Sequence, residues 1–595
     1  MADIPTPNPT GKPSPAEGIK EQSRFLRGDL VQELHDGLDH FGKTSESLLK
    51  FHGTYKQDDR DERGAGGLDE EGKKKKSYIF MVRTKIPGGK LTSRQLLDEL
   101  DLCDEVGNTT LRITSRQGLQ LHGVVKRNLK QAIARINHTQ LSTLGACGDV
   151  NRNVMCCPAP IATGIYRQTQ ALADHLAAHF APRTKAYYET WLTDPASGEK
   201  QLVGGGFEDN GQPDGSGDGF DVEPIYGKHY MPRKFKMAIG YTFDNCVDVY
   251  ANDLGLIAVT VGDQIVGYNL IAGGGMGVTP SAKKTFPAVA QRIAYVAPDQ
   301  VLAAVEAVFK VQRDYGNRED RKLARLKYVI AGWGVAAFKA KVEEYFGGPL
   351  ADFRPEHDVV GFDDHMGWAE QGGGRWFYGL NIENGRLKDT AEVQLKTALR
   401  EVCSQLDPQV RLTAHQSLIF GNIQPQDRSR LESIFRDHGV QLSEEISTVR
   451  RWSMACVAWP TCGLSITESE RALPGIIDQV EAELARLGLA QERFTIRMTG
   501  CPNGCARPYN CDVGLVGKAR GKYTVFLGGR LLGDRLNFLY KDMVPEEEVA
   551  ATLAPVFTYF KQARQSGETL GDFCLRKGTA DLAAWAEAQA AVAAS

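Results

Sequence analysis

Leu111-Arg-Ile-Thr-Ser-Arg-Gln-Gly-Leu119 is repeated about three hundred residues later as Val410-Arg-Leu-Thr-Ala-His-Gln-Ser-Leu418. Each stretch follows a Gly-(Lys/Arg)-Leu turn by a similar distance, at Gly89 to Leu91 in the first copy and at Gly385 to Leu387 in the second. The correspondence indicates that one unit of the chain has been duplicated. Its period is far longer than the roughly 20–50 residues of a solenoid repeat, which favours two related halves with pseudo-twofold symmetry.

A second pair of repeats supports the duplication. Asn252-Asp-Leu-Gly-Leu-Ile257 resembles Cys511-Asp-Val-Gly-Leu-Val516, and Gly267-Tyr-Asn-Leu-Ile-Ala-Gly-Gly274 resembles Lys522-Tyr-Thr-Val-Phe-Leu-Gly-Gly529. The first repeated unit (A) and the second (B) each occur twice, in the order A-B-A-B along the chain. We therefore expect two halves that join near residue 350.

The first unit of each half mixes strands and helices. Tyr78 to Val82 and Leu111 to Leu121 have strand composition, whereas Ser93 to Val106 has a helical pattern. This mixture is typical of an α+β, ferredoxin-like fold, and a helical period also predicts helices between residues 298 and 346. We therefore expect an N-terminal arm and linker over 1–76, a ferredoxin-like half-domain over 77–155, a larger α/β domain over 156–348, a second ferredoxin-like half-domain over 349–430 and a second α/β domain over 431–595.

The composition is that of an intracellular globular protein with several domains. The 595 residues carry a net charge of −3 with a pI near 6.5, and this balance argues against general binding to nucleic acid. The sequence has no run of about eighteen apolar residues and no secretory signal at its start, so we expect a cytoplasmic protein without a membrane segment. Twelve cysteines are few for a disulfide scaffold of this length, which favours free thiols, metals or clusters.

Four cysteines form the strongest local motif. Cys456-Val-Ala-Trp-Pro-Thr-Cys462 and Cys501-Pro-Asn-Gly-Cys505 are a C-x5-C and a C-x3-C pair about forty residues apart. Four thiolates are the standard complement of a 4Fe-4S cluster. A structural zinc site is the competing interpretation because C-x3-C lies in its usual range, although zinc sites rarely use C-x5-C. Spacing favours the cluster, with zinc or unrelated buried thiols as the alternatives.

The remaining cysteines give weaker signals. The adjacent pair Cys156 and Cys157 is predicted to supply small packed residues near a site, because adjacent residues rarely bind one tetrahedral metal. We expect ordinary core thiols at Cys103, Cys246, Cys403 and Cys574.

Basic residues occur in four short motifs. They are Arg83 after the Tyr78 to Val82 strand, Arg116 with His122, Arg152 in Asn151-Arg-Asn153, and Arg233-Lys-Phe-Lys236. A solvated strand end explains any single one of them equally well. Lys234 and Lys236, however, are two residues apart in an extended segment, so both ammonium groups share one face. Four such motifs in a chain without net positive charge predict a focused anion pocket.

These motifs together carry a resemblance to a known family. The two cysteine pairs, Leu144-Gly-Ala-Cys-Gly-Asp-Val-Asn-Arg-Asn-Val154 and Pro232-Arg-Lys-Phe-Lys236 resemble the assimilatory sulfite and nitrite reductases. The resemblance runs from about Gly18 to Arg576 and implies the duplicated architecture, with two ferredoxin-like half-domains and two related α/β domains that bind sirohaem and a 4Fe-4S cluster.

The resemblance also implies roles for the site residues. Cys505 would bridge the cluster and the sirohaem iron, while Cys456, Cys462 and Cys501 would hold the other cluster irons. Sirohaem carries many carboxylates, and the matching positions Arg116, His122 and Asn503 would serve the macrocycle and its surroundings.

The implied reaction is the six-electron reduction of sulfite to sulfide. Arg83, Arg152, Lys234 and Lys236 match the basic quartet of the family. We expect the two arginines to act mainly as anion clamps and the two lysines mainly as proton sources. Nitrite reductases of the family tend to have asparagine at the position of Lys236, so the resemblance favours sulfite, with nitrite as the alternative.

The electron donor is expected to be a separate protein, since the sequence has no Gly-x-Gly-x-x-Gly motif opening a βαβ unit and no obvious flavin domain. Leu144 to Gly148, Glu223 to Gly227, the Gly-rich acidic stretch from Gly204 to Asp221 and Gly273 to Gly277 resemble the ferredoxin-dependent branch. Ferredoxin is therefore the predicted partner, with an NADPH flavoprotein subunit as the alternative. The stretch 204–221 is expected to be a mobile surface loop, and the family default is a monomer.

Two other classes of protein fit the sequence less well. A zinc-stabilised nucleic-acid-binding module is disfavoured by the acidic charge balance and by the absence of interleaved aromatic and basic residues. A nonenzymatic electron carrier would have no use for the cations of an anion pocket. The sequence therefore favours a redox enzyme.

Overall fold

The computed structural model describes residues 11–594 except 70, 185, 187–188, 195–196, 199 and 206–222. Most of the stretch 204–221, expected to be a mobile loop, lies outside the described residues. Over the first 140 residues the elements are α1 (Pro15–Glu21), α2 (Leu30–Leu34), α3 (Lys43–Leu49), β1 (Thr54–Asp58), β2 (Tyr78–Thr84), β3 (Lys90–Leu91), α4 (Ser93–Val106), β4 (Leu111–Ile113), β5 (Leu119–Val124) and α5 (Leu129–His138).

The next unit is larger and ends in three helices. Its elements are β6 (Met155–Cys156), α6 (Gly164–His179), β7 (Glu189–Thr193), β8 (Lys200–Gly205), β9 (Met237–Tyr241), β10 (Leu254–Val261), β11 (Gln264–Ala272), β12 (Gln291–Val296), α7 (Val301–Tyr315), α8 (Leu326–Trp333) and α9 (Val335–Phe346).

The second half repeats both units. Its first unit contains β13 (Gly367–Gly372), β14 (Arg375–Leu380), β15 (Arg386–Leu387), α10 (Leu395–Leu406), β16 (Gln409–Leu412), β17 (Leu418–Ile423) and α11 (Arg428–Asp437). Its second unit contains α12 (Thr448–Arg451), β18 (Ser453–Ala455), α13 (Leu473–Leu487), β19 (Ile496–Thr499), β20 (Val513–Ala519), β21 (Lys522–Leu527), β22 (Phe538–Pro545), α14 (Val549–Ala563) and α15 (Leu570–Ala594), the last interrupted at Gly578.

The two ferredoxin-like units exchange an edge strand. One sheet has the order β1-β2-β5-β4-β15 and the other the order β13-β14-β17-β16-β3. Arg386 of β15 therefore pairs with Arg112 of β4, and Arg411 of β16 pairs with Lys90 of β3. The repeated Gly-(Lys/Arg)-Leu turns supply these exchanged strands, and one hydrophobic core spans both sheets. The duplicated α+β fold is confirmed.

The two α/β domains have equivalent sheets, with the orders β6-β9-β10-β11-β12 and β18-β19-β20-β21-β22. In each sheet the first three strands are parallel to one another. The fourth strand is antiparallel to the third, and the fifth is antiparallel to the fourth. Each domain has its own hydrophobic core. The carboxyl ends of neighbouring parallel strands meet at one sheet edge in both copies, and loops that follow them can bring distant residues together.

Helix α4 shows how the sequence directs one element. Thr92 caps it, accepting from the backbone N–H of Gln95 at 3.1 Å, while the Gln95 side chain accepts from the backbone N–H of Thr92 at 3.0 Å. Leu96, Leu100 and Cys103 follow with helical spacing and are buried. The helix therefore spans the residues that the sequence pattern predicts.

The segment over residues 1–76, expected to be an arm and linker, has secondary structure where it is described. The described part of this segment contains three short helices, and β1 is the edge strand of the first sheet. Leu26, Phe41, Leu48 and Phe51 are all buried, which explains why the segment packs on the body of the protein. Their spacing is irregular, so periodicity in the sequence does not reveal them.

Candidate active site

The four motif cysteines lie in two loops at one edge of the second α/β domain. Cys456 directly follows β18, and Cys501 comes two residues after the end of β19. These strands are parallel neighbours, so both loops leave the same sheet edge. Cys462 and Cys505 lie further along the same loops. The charges of the other three cysteines all raise the pKa of Cys456, so the four thiols are close together. Strand order thus brings together two motifs that are forty residues apart.

Hydrogen-bond donors surround these sulfur atoms. The backbone N–H of Gly500 donates to Cys456 Sγ at 3.4 Å, and Asn503 Nδ2 donates to Cys501 Sγ at 3.4 Å. Burial, followed by the charge of Cys505, raises the pKa of the Cys501 thiol to about 11. The same two causes raise the pKa of Cys456 and Cys462. Ligation by metal requires thiolates, so loading of this site must release protons.

The spacing of these thiols discriminates between a cluster and a single ion. Over the described part of the chain, the one group of three or more Cys, His or acidic ligand atoms lying within 4.8 Å of one another does not include any of these four cysteines. Around one zinc ion, thiolate sulfurs would be about 3.8 Å apart, given a Zn–S bond of about 2.3 Å. No three of the four motif sulfurs lie within 4.8 Å of one another in the described residues, a spacing that suits a multinuclear 4Fe-4S cluster.

Arg60 holds the first cysteine loop, a role that sequence reasoning missed. Its guanidinium donates to the carbonyl oxygens of Pro460, Ser465 and Cys462 at 2.8, 3.0 and 2.7 Å, and it stacks 3.7 Å from the ring centroid of Trp459. Arg60 belongs to a charged stretch that reads as a solvated connector. Its partners are about four hundred residues away, so nothing local in the sequence indicates the contact.

Arg83 and Arg152 come together around one thiol and one phenol. Arg83 Nη1 lies 2.9 Å from Cys147 Sγ. Burial raises the pKa of Tyr55, and the charges of both arginines oppose this rise. Arg152 is anchored by two hydrogen bonds to the carbonyl oxygen of Gly148, at 2.9 and 2.7 Å. This anchoring fixes the direction of its guanidinium, a requirement for binding an oxyanion in a defined orientation.

Lys234 and Lys236 precede β9 and are half-buried. Burial, followed by the charge of Arg233, lowers the pKa of Lys234 well below its ordinary value. Burial, followed by the charge of Lys234, does the same to the pKa of Lys236. The charge of Cys505 acts to raise the pKa of Lys234, so these two side chains are neighbours. The charge of Arg152 also acts on Lys234, and Arg83 and Arg152 both act on Tyr55, so the residues of the predicted basic quartet are linked through neighbouring charges, with Cys505 close to Lys234.

The positions of Arg116 and His122 differ. Arg116 donates to Asn252 Oδ1 at 2.7 Å and to the carbonyl of Asn153 at 2.6 Å, so much of its guanidinium braces loops of the first α/β domain. His122 is buried in β5, where burial and then Arg386 lower its pKa well below the ordinary value and keep it neutral. The charge of Arg83, a member of the basic quartet, also acts on His122.

Several buried polar atoms of the predicted site residues and of Asn151, the neighbour of Arg152, have no hydrogen-bond partner among the described residues. They are Arg116 Nε, His122 Nε2 and both side-chain atoms of Asn151. Unpaired buried donors are rare in native proteins and mark places where a further group completes the hydrogen bonding. Together with the basic quartet they fit a large polycarboxylate cofactor such as sirohaem.

Asp248, which the sequence does not single out, joins the two halves of the chain. It forms an ion pair with Arg497 of β19 at 2.7 Å and a second ion pair with Arg507, which follows the C-x3-C loop. Burial alone would raise the pKa of Asp248, but the two guanidinium groups lower it below its ordinary value. The loop that carries Cys501 and Cys505 is thereby tied to the first α/β domain.

The fold and this site define an oxidoreductase that uses an iron–sulfur cluster and a haem-type cofactor. The model of the nitrite and sulphite reductase 4Fe-4S domain matches residues 147–350 and 447–593, and that of the nitrite/sulfite reductase ferredoxin-like half domain matches residues 71–138 and 369–438. The chain belongs to the nitrite and sulphite reductase family. Its cofactors are sirohaem and a 4Fe-4S cluster, as the sequence predicts.

Relatives of two kinds resemble nearly the whole chain. A sulfite reductase [NADPH] hemoprotein beta-component from Staphylococcus saprophyticus is 43% identical, with 94% of this chain and 95% of the relative covered. A sulfite reductase [ferredoxin] from Synechococcus elongatus is 42% identical over 96% of this chain and 91% of the relative. The solved structure of the Mycobacterium tuberculosis NirA protein matches the fold with a TM-score of 0.75 and 24% identity, over 96% of this chain and 98% of that one.

Among the described residues, no helix combines the length and apolar character that a membrane crossing requires.

Proposed function

We propose that this protein reduces sulfite to hydrogen sulfide. The observation that carries the proposal is the linked set of neighbouring charges formed by Arg83, Arg152, Lys234 and Lys236, with Cys505 close to Lys234. In the balanced reaction, one sulfite dianion takes up six electrons and eight protons and gives one molecule of hydrogen sulfide and three of water. A site for this change must bind a doubly charged oxyanion and supply protons where oxygen leaves as water, and the quartet suits both tasks.

The cysteines are proposed to have unequal roles. Cys456, Cys462 and Cys501 would bind cluster iron only, and Cys505 would link the cluster to the sirohaem iron. Cys505 is the exposed member of the four, and its charge acts both on the other three thiols and on Lys234. It is therefore close both to the other cluster cysteines and to Lys234. When bound, the two cofactors would supply the electrons and the iron on which sulfite is reduced.

Arg83 and Arg152 are proposed as the anion clamps. Guanidinium groups hold oxyanion oxygens with paired, directional hydrogen bonds, and Arg152 is already fixed by Gly148. Lys234 and Lys236 are proposed as the proton sources. Burial and neighbouring cations weaken the hold of each ammonium group on its proton, which favours transfer to a leaving oxygen.

Arg116, His122 and Asn503 are proposed to serve the cofactors. Arg116 Nε and His122 Nε2 are available for sirohaem or the groups around it, because both are buried and have no hydrogen-bond partner among the described residues. Asn503 donates to Cys501 and would therefore act on the cluster side.

Sulfite is preferred over nitrite in this proposal because of Lys236. Two adjacent ammonium groups, at Lys234 and Lys236, match a dianion with three oxygens better than a monoanion with two. The named relatives at 42–43% identity are described as sulfite reductases, which supports the same choice.

Ferredoxin is proposed as the electron donor, on the strength of the motif resemblance and of the relative from Synechococcus elongatus. An NADPH flavoprotein subunit is the alternative, favoured by relatives such as that from Staphylococcus saprophyticus. We further propose that the enzyme works as a cytoplasmic monomer. The domain boundaries 77–155, 156–348, 349–430 and 431–595 remain our proposed division.

The test is turnover with each donor. The protein should be produced in a host that makes sirohaem, purified without oxygen, and mixed with sulfite and either reduced ferredoxin or NADPH with a flavoprotein subunit. We expect sulfide with ferredoxin. Sulfide with the flavoprotein alone would refute the donor, and no sulfide with either donor or with a reduced viologen dye would refute the function.

A further inference from the structure

A second group of potential metal ligands lies in the first α/β domain. Cys157, Asp244, Cys246 and His365 each offer one ligand atom, and these four atoms lie within 4.8 Å of one another. Cys157 follows β6, Asp244 and Cys246 follow β9, and His365 lies two residues before β13. The group therefore draws on three separate stretches of the chain, over two hundred residues apart at the extremes.

This group is separate from the two lysines of the site already described. Lys234 and Lys236 precede β9, whereas Asp244 and Cys246 follow it, so the two sites are at opposite ends of the same strand. Five extended residues span about 16 Å. The cluster cysteines belong to the other α/β domain, and neither the cluster nor the substrate needs this second group.

The ligand atoms form a closed set with short mutual distances. Cys157 Sγ lies 3.2 Å from Asp244 Oδ2 and 3.3 Å from His365 Nε2, and these last two atoms are 3.0 Å apart. Around a tetrahedral zinc ion with bonds of about 2.0–2.3 Å, neighbouring ligand atoms are about 3.3–3.8 Å apart. Shifts of a few tenths of an ångström would therefore admit an ion.

Outer contacts hold the ligands in place. Asp244 Oδ1 accepts from the backbone N–H groups of Cys246 and Asp363, at 3.0 and 3.2 Å, which leaves Oδ2 turned toward the other ligands. His365 has a positive φ of 57°, which is uncommon for a residue other than glycine. Its backbone N–H donates to Asp363 Oδ1 at 2.9 Å. A backbone strained in this way is kept where the side chain is needed in one place.

The ligand types identify the metal. Two thiols, one imidazole and one carboxylate are all buried, with Cys157, Asp244 and Cys246 no more than 5% exposed. Sulfur ligands disfavour calcium and magnesium, and four such ligands in a closed arrangement are typical of structural zinc. A cavity of about 390 Å³ that Cys157, Tyr166 and Arg411 help to line offers a path from solvent.

We propose that Cys157, Asp244, Cys246 and His365 bind one structural zinc ion. The ion would fasten the segment between the two halves to the first α/β sheet. The neighbouring Asp364 pairs with Arg451 of α12 at 2.9 and 2.7 Å, so the same segment is already held to the second half. Zinc would add coordinate bonds to a region where the two halves are otherwise joined only by non-covalent contacts.

Metal analysis of the holoenzyme is the direct test. Protein from zinc-supplemented cells should be dialysed against a mild chelator, and zinc and iron then counted per chain. We expect about one zinc beside the cofactor iron. X-ray absorption at the zinc edge should show two sulfur and two nitrogen or oxygen neighbours, at about 2.3 and about 2.0–2.2 Å. Absence of zinc, or zinc with nitrogen and oxygen neighbours only, would overturn the proposal.

Variants add a matched control. Cys246→Ala should lose the zinc and keep the iron, whereas Cys403→Ala, at an equally buried cysteine with 3% exposure in the half-domain core, should keep both. Zinc retained in the Cys246→Ala variant would also overturn the proposal. Mass spectrometry of alkylated wild-type protein should find no disulfide between Cys157 and Cys246, since such a bond would exclude the ion. The absorption measurement needs wild-type protein alone, so it decides the question even if a variant fails to fold.

Discussion

Asp248 and Arg497 lie 2.7 Å apart, and neither side chain is more than 1% exposed. Asp248 belongs to the first α/β domain and Arg497 to strand β19 of the second, directly before the loop of Cys501 and Cys505. A buried charge without its partner is costly, so this pair holds the cluster loop and the first half in one arrangement.

Replacement of Asp248 by asparagine tests that arrangement. Asp248 has a positive φ of 50°, which asparagine tolerates, so the change removes the charge and keeps the backbone. Two buried arginines would be left unpaired, and we expect a loss of about 3–5 kcal/mol in the free energy of unfolding, measured by denaturant titration. The exposed pair Glu483–Arg486 gives the control, because Glu483→Gln should cost under about 1 kcal/mol. Equal losses in the two variants would contradict the role of Asp248.

Glu99 should make stability depend on pH. It is 1% exposed, and burial raises its pKa from 4.5 to about 7. Between these two pKa values the folded state keeps a proton that the unfolded state has lost, so this contribution to stability is fully present below about pH 4.5, is lost as the pH rises from there to about 7, and is constant above that. The loss is about 3 kcal/mol for a shift of this size.

Thermal unfolding of a Glu99→Gln variant at several pH values measures this effect. The variant cannot ionise at this position, so its unfolding temperature should lack the fall between about pH 4.5 and 7 that this group adds in the wild type. Glu105→Gln, on the exposed side of the same helix, should follow the wild-type curve. Parallel curves for wild type and Glu99→Gln would refute the prediction.

Arg60 is expected to protect the cluster. Arg60→Ala removes three hydrogen bonds to the loop of Cys462 and the stacking on Trp459. Hydrogen bonds from a charged group are worth about 1.5–3 kcal/mol each, so loop opening should become at least about tenfold more frequent. Loss of cluster absorbance in air or chelator should accelerate by a similar factor. Arg63→Ala, which breaks only a pair with Asp58, should bleach at the wild-type rate, and equal rates for all three proteins would exclude this role.

Lys236→Asn tests the choice between substrates. Loss of one ammonium group should weaken binding of the sulfite dianion more than that of nitrite. We expect the ratio of kcat/KM for sulfite over nitrite to fall about tenfold to a hundredfold, as for the loss of one charged hydrogen bond. Lys228→Asn, at an exposed lysine on the approach to the same strand, should leave the ratio unchanged. An unchanged ratio in the Lys236 variant would remove this residue from substrate selection.

The sequence predicts most clearly what local patterns encode. Helix α4 begins at its Thr92 cap, and the cysteine motifs converge because each follows a strand. Long-range partners were not predictable. The repeat shows that β3 and β15 correspond, yet nothing in it indicates that each joins the other half's sheet. Arg60, Asp248 and His365 were missed for the same reason, since their partners lie in distant parts of the chain.

The central claim is that Cys505 connects the cluster to the site of sulfite reduction. The most direct measurement is sulfite turnover, with cofactor content, in a Cys505→Ser variant beside Cys511→Ala, a change at a buried core thiol six residues away. We expect Cys511→Ala to form sulfide at close to the wild-type rate, and Cys505→Ser to lose sulfide formation by several orders of magnitude, even in molecules that retain sirohaem. Wild-type turnover in Cys505→Ser would contradict the account.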